Sequence, residues 1–280
     1  MQGGQGLSRR ALFGAGLGRV LDARFAHEDE AGRRREHQPP TSFPGWGEGD
    51  ADGLGGRLEP VATALLAACD VRPAMRVLVA GAGDGVLARA AARRGAEVTA
   101  VEASEERVER GRALCADAGL DVAWVVGPLS KMPVEEARHE AVVSLFGAAY
   151  ADDPRALAAQ LTRAARPGAP IAFTAWQGLI AELLRVVGPG AARSRRWARY
   201  ETAYLHFFDF PELDVRDCAL QLRFDSVDEA IEVLAAPAGA IGAEERVRQA
   251  LPRLLAGQHQ PQGGGFLVQV AHAMVFACRP

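Results

Sequence analysis

Val77-Leu78-Val79-Ala80-Gly81-Ala82-Gly83-Asp84-Gly85 is the stretch whose reading decides the fold. Its apolar start reads as a short buried strand, Arg76–Ala80, and the residues from Gly85 to Arg94 read as a helix. Between them, alternating glycines permit a tight turn and a close approach of something to the backbone. Outward from this loop the rhythm repeats. Glu97–Val101 reads as a strand, Glu105–Ala118 as a helix, and Val122–Val126 and Glu140–Leu145 as further strands. A helix over Asp153–Ala165 is closed by Arg166-Pro167-Gly168, and Pro170–Thr174 reads as a fifth strand. Strands alternating with helices predict a parallel sheet covered on both faces, and right-handed crossovers make it doubly wound.

The flanks are less regular. Residues 1–40 read as a poorly ordered leader, with Arg33-Arg34-Arg35 and little apolar periodicity. Residues 41–56 are rich in Gly, Asp and Pro and read as a loop, followed by a helix over Leu58–Cys69. Past Trp176, helices are expected over Leu179–Val187 and Trp197–Phe208, a strand over Cys218–Phe224, helices near Val227–Leu234 and Glu244–Leu255, and a last strand over Phe266–Cys278. The expected organisation is one α/β domain over 41–280, a Rossmann-like doubly wound sheet of seven strands. Its core is 57–176, a small helical cap spans 177–212, and strands and helices complete it over 213–280.

Composition narrows the function. The chain has 280 residues, 49% of them hydrophobic, enough for a sizeable core. A formal net charge of −3 gives no electrostatic reason to expect nucleic acid or an anionic membrane as partner. Cys69, Cys115, Cys218 and Cys278 are scattered and the six histidines lack ligand spacing, so no metal is implied. Ser8-Arg9-Arg10-Ala11-Leu12-Phe13 resembles a twin-arginine signal, but the apolar stretch after it is short and broken by Arg19 and Asp22. A basic leader and a cytoplasmic setting are the expectation. Oligomeric state is not legible.

The site follows from the loop. Glu102 ends the second strand, where an acid can accept both ribose hydroxyls of a nucleoside. Dinucleotides ask for G-x-G-x-x-G with pyrophosphate over the helix N-terminus. Here Gly85 comes one residue early, position 86 is Val86, and Asp84 sets a carboxylate where phosphates would lie. S-adenosylmethionine carries no phosphate and has a cationic ammonium and sulfonium, so spacing and charge both favour it over NAD.

These pieces resemble the class I S-adenosylmethionine-dependent methyltransferases. The likeness rests on VLVAGAGDG (77–85), VTAVEAS (98–104), VVGPLSKMP (125–133), EAVVSLFGAAY (140–150) and RAARPGAPIAFTAW (163–176), with WGEGDADGL (46–54) similar to a stretch before the core. The ubiquinone/menaquinone-type C-methyltransferases are the branch it most resembles. The resemblance implies that Gly81, Gly83 and Gly85 line the methionine part, that Glu102 holds the ribose, that the Leu129 amide meets adenine, and that Leu145 lies beside the donor. Two positions depart from the family: Val79 and Pro128 stand where acids are usual. Each loss removes a polar contact worth about 1–3 kcal/mol if buried. Asp84 is the expected substitute, contacting the donor's ammonium.

Methyl transfer is an in-line displacement at a carbon already activated by sulfonium, so alignment and exclusion of water are the protein's main tasks. A base is needed only if the acceptor loses a proton. His206 is the candidate, although a lone histidine is more often satisfied by structural hydrogen bonds. It lies in an aromatic group with Trp197, Tyr200, Tyr204, Phe207, Phe208 and Phe210 that would either stack on a flat acceptor or pack the cap. Trp176 would line the pocket or close the sheet edge. The expected function is methyl transfer to a small molecule. The alternative is a relative that binds S-adenosylmethionine with weak or no turnover, and an NAD-linked oxidoreductase is disfavoured by Val86 and Asp84.

Overall fold

The computed structural model describes residues 51–151, 153–179, 181, 213–235, 243–254, 259–262 and 265–279. The expected leader, all but Leu179 and Ala181 of the two helices expected over 179–208, most of the cap and His206 lie outside these.

In chain order the elements are α1 (Ala51–Arg57), α2 (Glu59–Ala68), β1 (Arg76–Ala80), α3 (Val86–Arg93), β2 (Glu97–Glu102), α4 (Glu105–Asp117), β3 (Val122–Val126), β4 (Ala141–Ser144), α5 (Pro154–Ala164), β5 (Pro170–Trp176), β6 (Leu213–Phe224), α6 (Val227–Ala235), α7 (Ala243–Leu254), β7 (His259–Gln262) and β8 (Gly265–Cys278). Local chemistry sets the helix starts. The Ser104 hydroxyl accepts the Arg107 N–H at the head of α4, and the Asp153 carboxylate accepts the Arg155 and Ala156 N–H groups at the head of α5.

One sheet holds the described residues together, in the order β3-β2-β1-β4-β5-β8-β6, with β7 pairing β8 off this path. Strands β1 to β5 are parallel, and β8 runs antiparallel to both β5 and β6. The doubly wound α/β class and the seven-strand path are as expected. Each sheet face has its own core. Val77, Val79, Val98, Ala100 and Val143 pack under α2, α3 and α4. Leu78, Val142, Ile171 and Phe173 pack under α5 on the opposite face. Among the described residues, no helix is long and apolar enough to cross a membrane.

Three departures from the sequence reading have physical causes. Residues 51–56, read as loop, belong to α1. Its glycines argue against a helix, but tertiary contacts override them. Leu54 is buried, and Arg57 reaches the Arg223 carbonyl, the Glu229 carboxylate and the face of the Phe224 ring. Strand β6 begins at Leu213, earlier than the alternation suggested, because it pairs β8 along its whole length. The two then run past the Trp176↔His272 rung, from Ala219↔Ala271 to Phe224↔Phe266, a ribbon extending about 20 Å beyond β5. Strand β7 had no apolar signal; it exists as the hairpin partner of β8.

Candidate functional site

The sheet order reverses between β1 and β4, which places the loop after β1 at the crevice where doubly wound sheets bind ligands. Gly81, Gly83 and Gly85 all have positive φ (65°, 55° and 89°), so the loop needs glycine at each. Their open sides differ. A Cβ on Gly81 would lie 2.9 Å from the Gly147 Cα and 3.3 Å from the Leu129 Cδ1. On Gly85 it would lie 2.8 Å from the Trp124 ring, which is also wedged against Gly111 of α4. On Gly83 it would meet only the Arg107 guanidinium, at 3.5 Å. Two of the three glycines are thus required by the protein's own packing, and Gly83 faces the more open side.

Glu102, at the end of β2, is fastened to this loop. Its Oε2 accepts the Gly83 N–H (2.8 Å), and its Oε1 accepts those of Ala103 (2.8 Å) and Ser104 (3.1 Å). A carboxylate has about four acceptor positions. One therefore stays open for a ligand hydroxyl, and a second hydroxyl would take over from a backbone N–H. Gly81 and Ala82 both donate to the Val101 carbonyl, which fixes the turn's start, and Gly127 donates to the Glu102 carbonyl (3.0 Å). That last bond brings the segment of Leu129, a short 3-10 turn over Leu129–Lys131, beside the glycine loop. Leu145 is half-buried against the core at the end of β4. The structure brings Gly81, Gly83, Glu102 and Leu129 together; His206 lies outside the described residues.

Asp84 changes the electrostatic part of the sequence argument. The residue is 9% exposed, and its carboxylate lies 3.7 Å from the Arg110 guanidinium. Burial lifts its pKa above the usual carboxylate value, against the pull of Arg107 and Arg110. The loop is not an isolated negative site, so charge alone no longer rejects a phosphate. Topology takes over that argument: the dinucleotide fold continues its parallel order, whereas here antiparallel β8 lies between β5 and β6.

The raised value has a consequence for stability. The folded state holds the Asp84 proton more tightly than the unfolded chain does. The residue therefore contributes stability below the unfolded value of 3.8 and loses it as pH rises through the higher folded value. Asp84→Asn is expected to raise the melting temperature at pH 7, with the gain shrinking toward pH 4. Calorimetric melts across that range check it.

Several residues of the site were missed from sequence. Ser144 accepts the Ala148 N–H and Thr174 the Phe146 N–H, both at 2.8 Å, and together they pin the turn after β4. Phe146 there has φ 58°, lies flat on Trp176 (centroids 3.5 Å, 6° between planes) and meets His272 edge-on at 5.9 Å. His272 had a readable signal: it is the polar residue in the inward register of Val268, Val270 and Met274. Among the described residues no group of three or more His, Cys, Asp or Glu could hold a metal ion.

Comparison with known proteins bears on the domain and the fold. Residues 77–168 match the methyltransferase domain family. The chain is 30% identical over 134 residues to the uncharacterised protein Rv1405c of Mycobacterium tuberculosis, covering 47% of this chain and 49% of the relative. It spans about half the length of the curated relatives it matches. Two solved structures share the fold. YcgJ of Bacillus subtilis has a TM-score of 0.55 at 16% identity, over 79% of this chain and 99% of its own. A Bacillus halodurans protein assigned to the methyltransferases has a TM-score of 0.56 at 15% identity, over 78% and 98%. Over residues 77–168 the sequence is thus similar to the methyltransferase domain family, and over the described sheet the chain has the fold of the two Bacillus proteins.

Proposed function

We propose that the chain binds S-adenosylmethionine along Gly81–Gly85 and Glu102 and transfers its methyl group to a small-molecule acceptor. The observation that carries this reading is Glu102 clamped to the glycine loop at the switch point of the sheet, within the segment that matches the methyltransferase domain family. In this reading the methionine end lies along Gly81, Gly83 and Gly85, the ribose on Glu102, adenine at the Leu129 amide, and Leu145 beside the donor. The donor supplies a methyl on sulfonium; the chain's residues hold it, orient it and exclude water. Asp84 meets the donor's ammonium only by turning from Arg110, so an S-adenosylhomocysteine affinity unchanged by Asp84→Asn assigns it to the arginines instead.

Titration calorimetry on the full chain tests the donor. S-adenosylmethionine and S-adenosylhomocysteine are expected to bind and NAD is not; uptake of NAD with neglect of both would overturn the reading. Release of S-adenosylhomocysteine in an acceptor panel then tests turnover, with quinol analogues examining the ubiquinone/menaquinone-type branch and His206→Ala examining the candidate base. A cytoplasmic setting belongs to the same proposal and is checked by cell fractionation. A second reading, donor binding with little turnover, has one observation in its favour. Val79 is fully buried in the core, so no side-chain rearrangement supplies an acid at that place.

A further inference from the structure

We infer that His272 is the polar anchor of the acceptor subsite, and that the acceptor is a flat aromatic ring carrying a hydroxyl, taking the place now held by the Phe146 ring. This rests on the methyl-transfer reading above.

His272 is 2% exposed, and neither ring nitrogen has a hydrogen-bond partner among the described residues. The Val270 carbonyl is its polar neighbour but falls outside hydrogen-bonding geometry. Its cross-strand neighbours are Trp176 on β5 and Cys218 on β6. The Cys218 thiol is directed at the Arg216 carbonyl (3.6 Å), so it does not satisfy the imidazole. A buried polar group without a partner loses its hydration for nothing in return, which natural cores avoid. An apolar side chain would suit the run of Val268, Val270 and Met274 better. The histidine therefore needs a partner from outside the described residues.

Its place says which partner. Gly147 rests on Gly81 of the donor loop, Phe146 precedes Gly147, and the Phe146 ring meets the imidazole. The donor loop and His272 are thus joined by one contiguous line of contacts. Phe146 is a non-glycine residue in the left-handed region, a strained conformation of the kind that gathers at functional sites. Its ring lies parallel to Trp176 at stacking distance with an edge on His272, which is the pose a bound aromatic acceptor would adopt. Burial holds the imidazole below its ordinary pKa, so near neutral pH it offers one donor and one acceptor, as a hydroxyl requires.

The test uses the full chain saturated with S-adenosylhomocysteine, titrated calorimetrically with catechol as the aromatic probe and cyclohexane-1,2-diol as its non-planar control. Catechol is expected to bind saturably and the diol not. His272→Leu should weaken catechol by about tenfold, the loss of one good hydrogen bond, without moving S-adenosylhomocysteine affinity. His272→Gln should retain most of the binding, and Phe146→Ala should tighten it by vacating the stack. Absence of catechol binding, or affinity equal in wild type, His272→Leu and His272→Gln, overturns the inference, the latter result meaning that His272 holds only a buried water. Failure of S-adenosylhomocysteine itself to bind overturns the methyl-transfer reading beneath it.

Discussion

Glu102→Ala is expected to weaken S-adenosylhomocysteine binding by about a hundredfold. The carboxylate would contribute charge-assisted hydrogen bonds to the ribose, each worth about 1.5–3 kcal/mol. Part of that is offset, because one of its backbone partners must give way to the second hydroxyl. A net loss of about 3 kcal/mol corresponds to two decades in the dissociation constant. A second effect adds to it. Gly83, Ala103 and Ser104 lose their acceptor together, so the loop that shapes the pocket loses its tie to β2. Glu102→Gln keeps one carbonyl acceptor and should fall between the two. Calorimetry on the three proteins decides; equal constants would remove the site from its proposed role.

Gly147→Ala is expected to lower the melting temperature by about 5–10 °C and to weaken donor binding with it. The added Cβ would meet the Gly81 carbonyl oxygen and lie 2.8 Å from the Gly81 Cα, so backbone meets backbone. Neither side can easily retreat. Gly81 is tied to the Val101 carbonyl, and the turn carrying Gly147 is pinned by Ser144 and Thr174. Overpacking of this kind costs about 1–3 kcal/mol, more where fixed backbone is struck, and each kcal/mol moves the melt of a domain this size by about 2–4 °C. Gly56→Ala is the control. It sits in α1 with nothing within 4 Å of the new Cβ, so it should leave the melt unchanged or raise it slightly. A Gly147→Ala melt equal to that of Gly56→Ala would show that the two loops are not in rigid contact.

The parallel half of the sheet was legible because local signals agreed there. Short apolar runs, helix-period stretches and glycine or proline breaks alternate from Arg76 to Trp176, and boundaries fell within about two residues, the usual fraying of such assignments. Glu102 was legible by its place at the end of a strand, a position from which an acid reaches the glycine loop. The antiparallel end was less legible. Nothing local announces β7, and the early part of β6 carries charged residues that suit its exposed edge. Helix α1 was hidden by its glycines, since the contacts that fold it come from Arg223, Phe224 and Glu229, far along the chain.

By itself the sequence determined the alternation of strands and helices, the three glycines and the acid at 102, because periodicity and backbone freedom are properties of neighbouring residues. Only the tertiary structure decided what each glycine is for, which arginines surround Asp84, and that His272, beside Phe146 and Trp176, has no hydrogen-bond partner among the described residues. Those facts depend on which side chains meet across strands and helices distant in the chain. Local pattern carries no record of such meetings; close packing and the burial of polar groups settle them once the sheet has closed.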